Sequence, residues 1–116
     1  MSTNTMPETR PIDDGFAVTG QLHPDQMTAV AEAGYKGLIC NRPDGEAPAE
    51  PQYEPIRAAA EAAGMTVRYV PVSNQVGITP DNVQAMRAAL DELDGPILAY
   101  CRSGARSAKL YEIAKD

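Results

Sequence analysis

Short unbroken apolar runs alternate with helix-period stripes along this chain, and no other feature narrows its fold as far. Phe16-Ala17-Val18-Thr19, Gly37-Leu38-Ile39-Cys40, Thr66 to Val72 and Pro96 to Tyr100 read as strands. The second is apolar throughout, as a strand covered on both faces is. Helical patterns lie between them. One starts at Pro24-Asp25, carries Met27, Val30 and Ala31, and closes at Gly34. Another runs from about Tyr53 to Ala63 with Ile56, Ala59, Ala60 and Ala63 at helical spacing, and Gly64 ends it. Thr79-Pro80-Asp81 caps a third, with Val83, Met86, Leu90 and Leu93 along one face, and a last helix carries Ala108, Leu110 and Ile113. Strands alternating with helices require right-handed crossovers. The expectation is an α/β domain of three layers, a small, mainly parallel sheet flanked by helices.

In such sheets ligands bind beyond the carboxyl ends of the strands. That rule brings three loops to one place: Asn41-Arg42-Pro43-Asp44, Ser73-Asn74-Gln75 and the loop that follows Cys101. The last is the most informative. The strand from Pro96 ends at Cys101, passes through Arg102-Ser103-Gly104-Ala105 and enters a helix at Arg106-Ser107. A strand, a tight turn and a helix start make an anion cradle, in which successive backbone N–H groups and the helix dipole converge. A thiol at its base ionises more easily than a free cysteine. Arg106 closes the loop and is suited to hold an oxyanion bidentately. Gly104 is the residue such a loop needs. Ser103 and Ser107 are placed to hydrogen-bond the thiolate or an anion, although Ser107 is equally a first-turn polar residue serving helix N–H groups. Arg102 reads as an outward charge at the entrance.

The 116 residues suffice for one core. The first fifteen, with Pro7 and Pro11, read as a flexible arm, and residues 16–116 as a single domain. With 16 acidic and 10 basic residues the net charge is −6, which argues against nucleic acid as a partner. It also requires any anion site to be local, built from backbone and arginine. No apolar run is long enough to span a bilayer, and Met1 to Arg10 lack a signal-peptide layout, so a cytoplasmic location is expected. One histidine, His23, and two cysteines give no support to a metal site or a disulfide framework. Cys40 reads as a small core residue rather than a resolving thiol. No cofactor is called for.

Cys-x4-Arg on a strand–loop–helix resembles the active-site loop of rhodaneses and, one residue longer, that of cysteine-dependent protein phosphatases. A closer resemblance is carried by several segments in order: Val18-Thr19-Gly20-Gln21-Leu22, Ala33 to Glu46, Ala62-Ala63-Gly64-Met65, Tyr69-Val70-Pro71-Val72 and Leu98 to Gly104. Asn41-Arg42-Pro43-Asp44-Gly45-Glu46 together with Cys101-Arg102-Ser103-Gly104-Ala105-Arg106-Ser107 is a specific combination. From about Phe16 onward the chain is similar to the small bacterial domains called beta-lactamase hydrolase-like, phosphatase-like (DUF442-type) or sulfur transferase domains. The resemblance implies a reduced cysteine-phosphatase-like fold. In that family such domains can be fused to a metallo-beta-lactamase-like partner, and in a longer chain of that kind this sequence would be the front part.

The chemistry has three readings. In sulfur transfer, the Cys101 thiolate accepts a sulfane sulfur from a small anionic donor and carries it as a persulfide. The four residues between Cys101 and Arg106 favour this reading, because they make a narrower ring of amides than the five of the phosphatases. In phosphomonoester hydrolysis through a cysteinyl-phosphate, an acid must protonate the leaving oxygen. The loop from Ser73 reads Ser73-Asn74-Gln75-Val76-Gly77, with no carboxylate before Asp81, so Asp44 becomes the candidate acid or base. In the third reading the loop is a non-catalytic sensor of anions or persulfides. Sulfur transfer is the expectation. Asn41 and Arg42 stand behind the cysteine loop, with Arg42 as a second anion contact, although Pro43-Asp44-Gly45 is also ordinary turn chemistry.

Overall fold

The structure, a computed structural model, describes residues 6–47 and 49–115. Its sheet has five strands, β1 Arg10–Asp13, β2 Phe16–Thr19, β3 Gly37–Cys40, β4 Thr66–Tyr69 and β5 Ile97–Tyr100, in the spatial order β1-β2-β5-β3-β4. β2, β5, β3 and β4 run parallel, and β1 pairs antiparallel with β2 at the edge. The helices are α1 Met27–Glu32, α2 Tyr53–Ala62, α3 Pro80–Glu92 and α4 Ala105–Ala114, with one 3₁₀ turn, Pro24–Gln26, leading into α1.

Alternation along the strands sorts side chains into two cores. Ala17, Leu38 and Leu98 face Leu22, Val30 and Ile56 on the α1/α2 side. Val18, Ile39 and Ala99 face Met86, Leu93 and Leu110 on the α3/α4 side. Three layers result. Leu38, Ile39, Leu98 and Leu110 have no exposed surface, and burying each contributes roughly 1.5–3 kcal/mol. β2, β3 and β5 are buried along their whole length, which is why they read as continuous apolar runs.

The N-terminal arm is shorter than the sequence suggests. Residues 10–13 form β1, and the Thr19 hydroxyl donates to the Glu8 carbonyl at 2.6 Å. Pro11 lies opposite Ala17, and proline is tolerated there because the strand is an edge. Residues 1–5 of that arm lie outside the described residues. β4 is also shorter than expected, ending at Tyr69, although Val70 and Val72 still donate to Cys40 and Asn41.

The register places the site. Thr19, Tyr100, Cys40 and Tyr69 form one row across the parallel strands. Just beyond that row come Gly20, Cys101, Asn41 and Val70, where the three expected loops and a fourth, after β2, leave the sheet. Among the described residues no helix is long and apolar enough to cross a membrane.

Candidate active site

Cys101 ends the central strand and is only 1% exposed. Gly104 takes the left-handed conformation, φ +93°, and turns the chain into α4. That turn points the Gly104 N–H back at the cysteine, 3.1 Å from Sγ. Burial pushes the thiol up, but the backbone N–H groups of Ser107, Ser103, Gly104 and Arg106 outweigh it and hold the thiol below its ordinary value. These four amides, at a helix start, are the cradle expected from the sequence. Ala105 is not part of it, since its N–H donates to the Ser103 hydroxyl at 3.4 Å.

The loop is braced from outside. Gln21 N–H donates to the Arg102 carbonyl at 3.3 Å, and a Cβ on Gly20 would stand 2.9 Å from that oxygen. Arg102 and Ser103 are exposed at the rim. Ser107 is fully buried, and among the described residues its hydroxyl has no partner.

Arg106 reaches across both neighbouring loops. Nη1 donates to the Val72 carbonyl at 2.8 Å, and Nη1 and Nη2 take the two oxygens of Glu46 at 2.8 and 2.7 Å. Those bonds use three of the five N–H groups of a guanidinium. The Nε–H and one Nη2–H remain, side by side, a fork of the shape that grips an oxyanion.

Sequence reasoning offers Glu46 as a partner of Arg42, which it is, but misses its bond to Arg106. Glu46 lies between two guanidiniums, bonding Arg106 and also Arg42 Nε at 2.8 Å. The Arg106 guanidinium, with Arg42 behind it, holds the Glu46 carboxyl below the usual carboxylate range despite partial burial. The available signal was the i, i+4 spacing of Arg42 and Glu46 beside a loop that needed a fixed arginine.

The neighbouring loop contributes differently from the expectation. Arg42 turns to other partners: its side chain is 8% exposed and is held by Glu46, Glu50 and the Gln21 side chain. Asp44 is occupied as a helix cap, its Oδ1 accepting from Tyr53 N–H at 2.7 Å at the start of α2. The Asp44 N–H in turn donates to the Tyr69 hydroxyl, and Tyr69 stacks on Tyr53. Asn41 is buried and ties strand ends together, donating from Nδ2 to the Val70 carbonyl at 2.9 Å. Cys40 is a buried free thiol, its Sγ donating to the Arg42 carbonyl at 3.3 Å, and burial pushes it up to about 11. His23 precedes the 3₁₀ turn, where its N–H donates to the Gln26 side chain.

Beside Arg106 the loop after β4, the start of α3 and the outer face of α4 enclose a cleft of about 520 Å³. Ser73, Asn74, Arg106 and Lys109 supply its polar lining, and Ile78, Val83 and Ile113 its apolar wall.

Residues 8–116 match the family of the beta-lactamase hydrolase-like protein, phosphatase-like domain. A beta-lactamase hydrolase-like protein of Xylella fastidiosa (strain Temecula1) is 36% identical over 104 residues, which cover 90% of this chain and 24% of that protein. The chain thus spans about a quarter of the length of that curated relative. A crystal structure of a candidate phosphatase from Neisseria meningitidis Z2491 superposes with a TM-score of 0.79 at 32% identity, covering 88% of this chain and 72% of the other. One from Shewanella putrefaciens CN-32 gives 0.82 at 19% identity, covering 98% and 74%. Likenesses to more distant solved phosphatases, all below 25% identity, show the same fold.

Proposed function

The chain belongs to the phosphatase-like domain family of beta-lactamase hydrolase-like proteins, and from that premise we propose that it is a cysteine-dependent phosphatase working through a cysteinyl-phosphate. The observation that carries this reading is the Gly104 amide 3.1 Å from the Cys101 sulfur, in a loop whose backbone N–H groups hold the thiol below its ordinary value, beside a guanidinium held by Glu46. It reverses the order expected from the sequence, where sulfur transfer came first.

The Cys101 thiolate attacks phosphorus, forming a P–S bond while the bond to the leaving oxygen breaks. The equatorial oxygens gain charge as this happens. The cradle amides and the free fork of Arg106 stabilise that charge, and because they are already oriented they need no reorganisation. Water then attacks phosphorus, the P–S bond breaks, and inorganic phosphate leaves with the thiolate restored. The proton released by water passes to solvent. Glu46 fixes the arginine and stays ionised throughout.

Release of inorganic phosphate from phenyl phosphate tests the reading. Turnover should be lost in Cys101→Ser and fall by a factor on the order of a hundred in Arg106→Lys, because lysine lacks the planar fork. Absence of phosphate release from the intact protein would overturn it.

One observation favours a second reading, persulfide-based sulfur transfer. Only four residues separate Cys101 from Arg106, and the Gly104 amide already lies 3.1 Å from Sγ, a ring suited to a single outer sulfur. Thiocyanate formed from thiosulfate and cyanide, without phosphate release, would favour it.

A further inference from the structure

Helix α4 changes character along the face it turns to the loop after β4. Arg106, Lys109 and Ile113 follow one another at spacings of three and four residues, so they stack on one side of the helix. All three line the cleft of about 520 Å³. Along α4 the lining thus passes from cationic at Arg106 and Lys109 to apolar at Ile113, over about 10 Å. On the facing wall Ser73 and Asn74, from the loop whose Val72 carbonyl holds Arg106, supply polar groups, and Ile78 and Val83 supply apolar ones.

The charge in this cleft is of one sign. The chain carries 16 acidic and 10 basic residues, yet none of the residues lining the cleft is acidic. Glu46 and the Val72 carbonyl already hold Arg106, whereas among the described residues Lys109 has no ion-pair partner. Its exposed ammonium is the charge left to a ligand. The apolar part is equally unclaimed. Among the described residues the exposed large apolar side chains are Tyr69, Val76 and Ile113. Ile113 lines the cleft, and Val76 stands on the loop that borders it. Neither Cys101 nor Gly104 belongs to the lining, so the cleft lies apart from the cradle, and Arg106 is common to the two.

A cleft of this size, with an apolar wall and a few polar groups gathered at one end, has the build of a small-molecule site. We propose that it binds an amphipathic carboxylate, an aliphatic chain carrying one acid group. The carboxylate lies against Lys109 at the Arg106 end, and the chain runs along α4 against Ile113, with Ile78 and Val83 facing it. A carboxylate without the chain forgoes the apolar contact, at roughly fourfold in affinity per buried methylene. A chain without the charge forgoes the ion pair. The proposal is independent of the reaction at Cys101.

Octanoate tests it on the full chain, with butanoate and octanol as partial ligands. Octanoate should bind saturably and shift the methyl NMR signals of Ile78, Val83 and Ile113, leaving those of Leu38 in the opposite core in place. Butanoate and octanol should each bind at least about tenfold more weakly. Lys109→Gln should weaken octanoate by about tenfold without changing octanol, and Lys109→Arg should retain most of the binding. Ile113→Gln, a change at an exposed position, should weaken octanoate and octanol alike. Absence of saturable binding would overturn the proposal, as would octanoate binding that Lys109→Gln leaves unchanged or that shifts no methyl signal of the cleft. So would octanol bound as tightly as octanoate. Self-association of the chain that is lost in Ile113→Gln would seat a second copy on this face and overturn it too.

Discussion

Cys101 and Cys40 are both buried cysteines at the carboxyl ends of adjacent strands, yet their surroundings push them in opposite directions. Burial penalises both thiolates: backbone N–H groups overcome it at Cys101, whereas at Cys40 burial prevails. Ultraviolet titration of thiolate should therefore show two separate steps, one below the ordinary thiol value and one near about 11, and Cys101→Ser should delete only the first. A depressed folded pKa also has a thermodynamic consequence. The stability Cys101 contributes is complete above the ordinary thiol value and is lost as pH falls through its folded value. Cys40, raised on folding, contributes below the ordinary value and loses that contribution as pH climbs toward about 11. Glu46→Gln is the sharpest residue-level change outside the nucleophile. It removes the negative charge shared by Arg42 and Arg106 and replaces one acceptor oxygen with a donor, and phosphate release should fall by tenfold or more, on the order of one lost charge-assisted contact. The loop from Cys101 to Ser107 was legible because its geometry is local. The pairing of Glu46 with Arg106 was not, because the two lie 60 positions apart, and only the assembled sheet brings them together.

At the scale of elements, the loop after β3 and the start of α2 form one unit held by Asp44. The dipeptide turn around Asp44 was readable, but the destination of its carboxylate, an amide nine residues on, was not. Asp44→Ala should lower stability by about 1 kcal/mol, as loss of a helix cap does. It should leave phosphate release from phenyl phosphate largely intact, which a catalytic acid at this position would forbid. Thermal melts beside the phosphate assay separate the two. The turn into α4 is the other sensitive element. Gly104 has φ +93° and its hypothetical Cβ meets the Thr19 carbonyl oxygen at 3.3 Å, so Gly104→Ala meets backbone strain and a tight contact together. It should cost more than about 1 kcal/mol and turn the Gly104 amide off the sulfur, raising the low thiol pKa toward the ordinary value. The thiolate titration reads that directly. Capping at Thr79 and the stripe on α3 followed the sequence closely, because Thr79 and Asn82 bond each other within one turn. β1 did not. Pro11 marks a break in isolation but fits an edge strand once β2 is there to pair with it.

For the whole molecule, topology does the assembling. Alternation of strands and helices was enough to predict the layers and the meeting of the loops after β3, β4 and β5, and the parallel register brings those loops to one end. What alternation leaves open is which side chains the loops present. Arg42, Asp44 and Asn41, all at the right end of the sheet, turn to structural partners, and Glu46 and the Val72 carbonyl take the place beside Arg106. The fourth loop, from Gly20, escaped notice because its contribution is close backbone approach to Arg102, for which a lone glycine is a weak signal. The account rests on Cys101 carrying a phosphoryl group, and acid-quenched mixtures of the protein with phenyl phosphate test that by intact mass and peptide mapping. The account predicts the mass of one phosphoryl group on Cys101, absent from Cys101→Ser. No phosphoryl adduct with phenyl phosphate, together with a gain of one sulfur on Cys101 from thiosulfate, would contradict it.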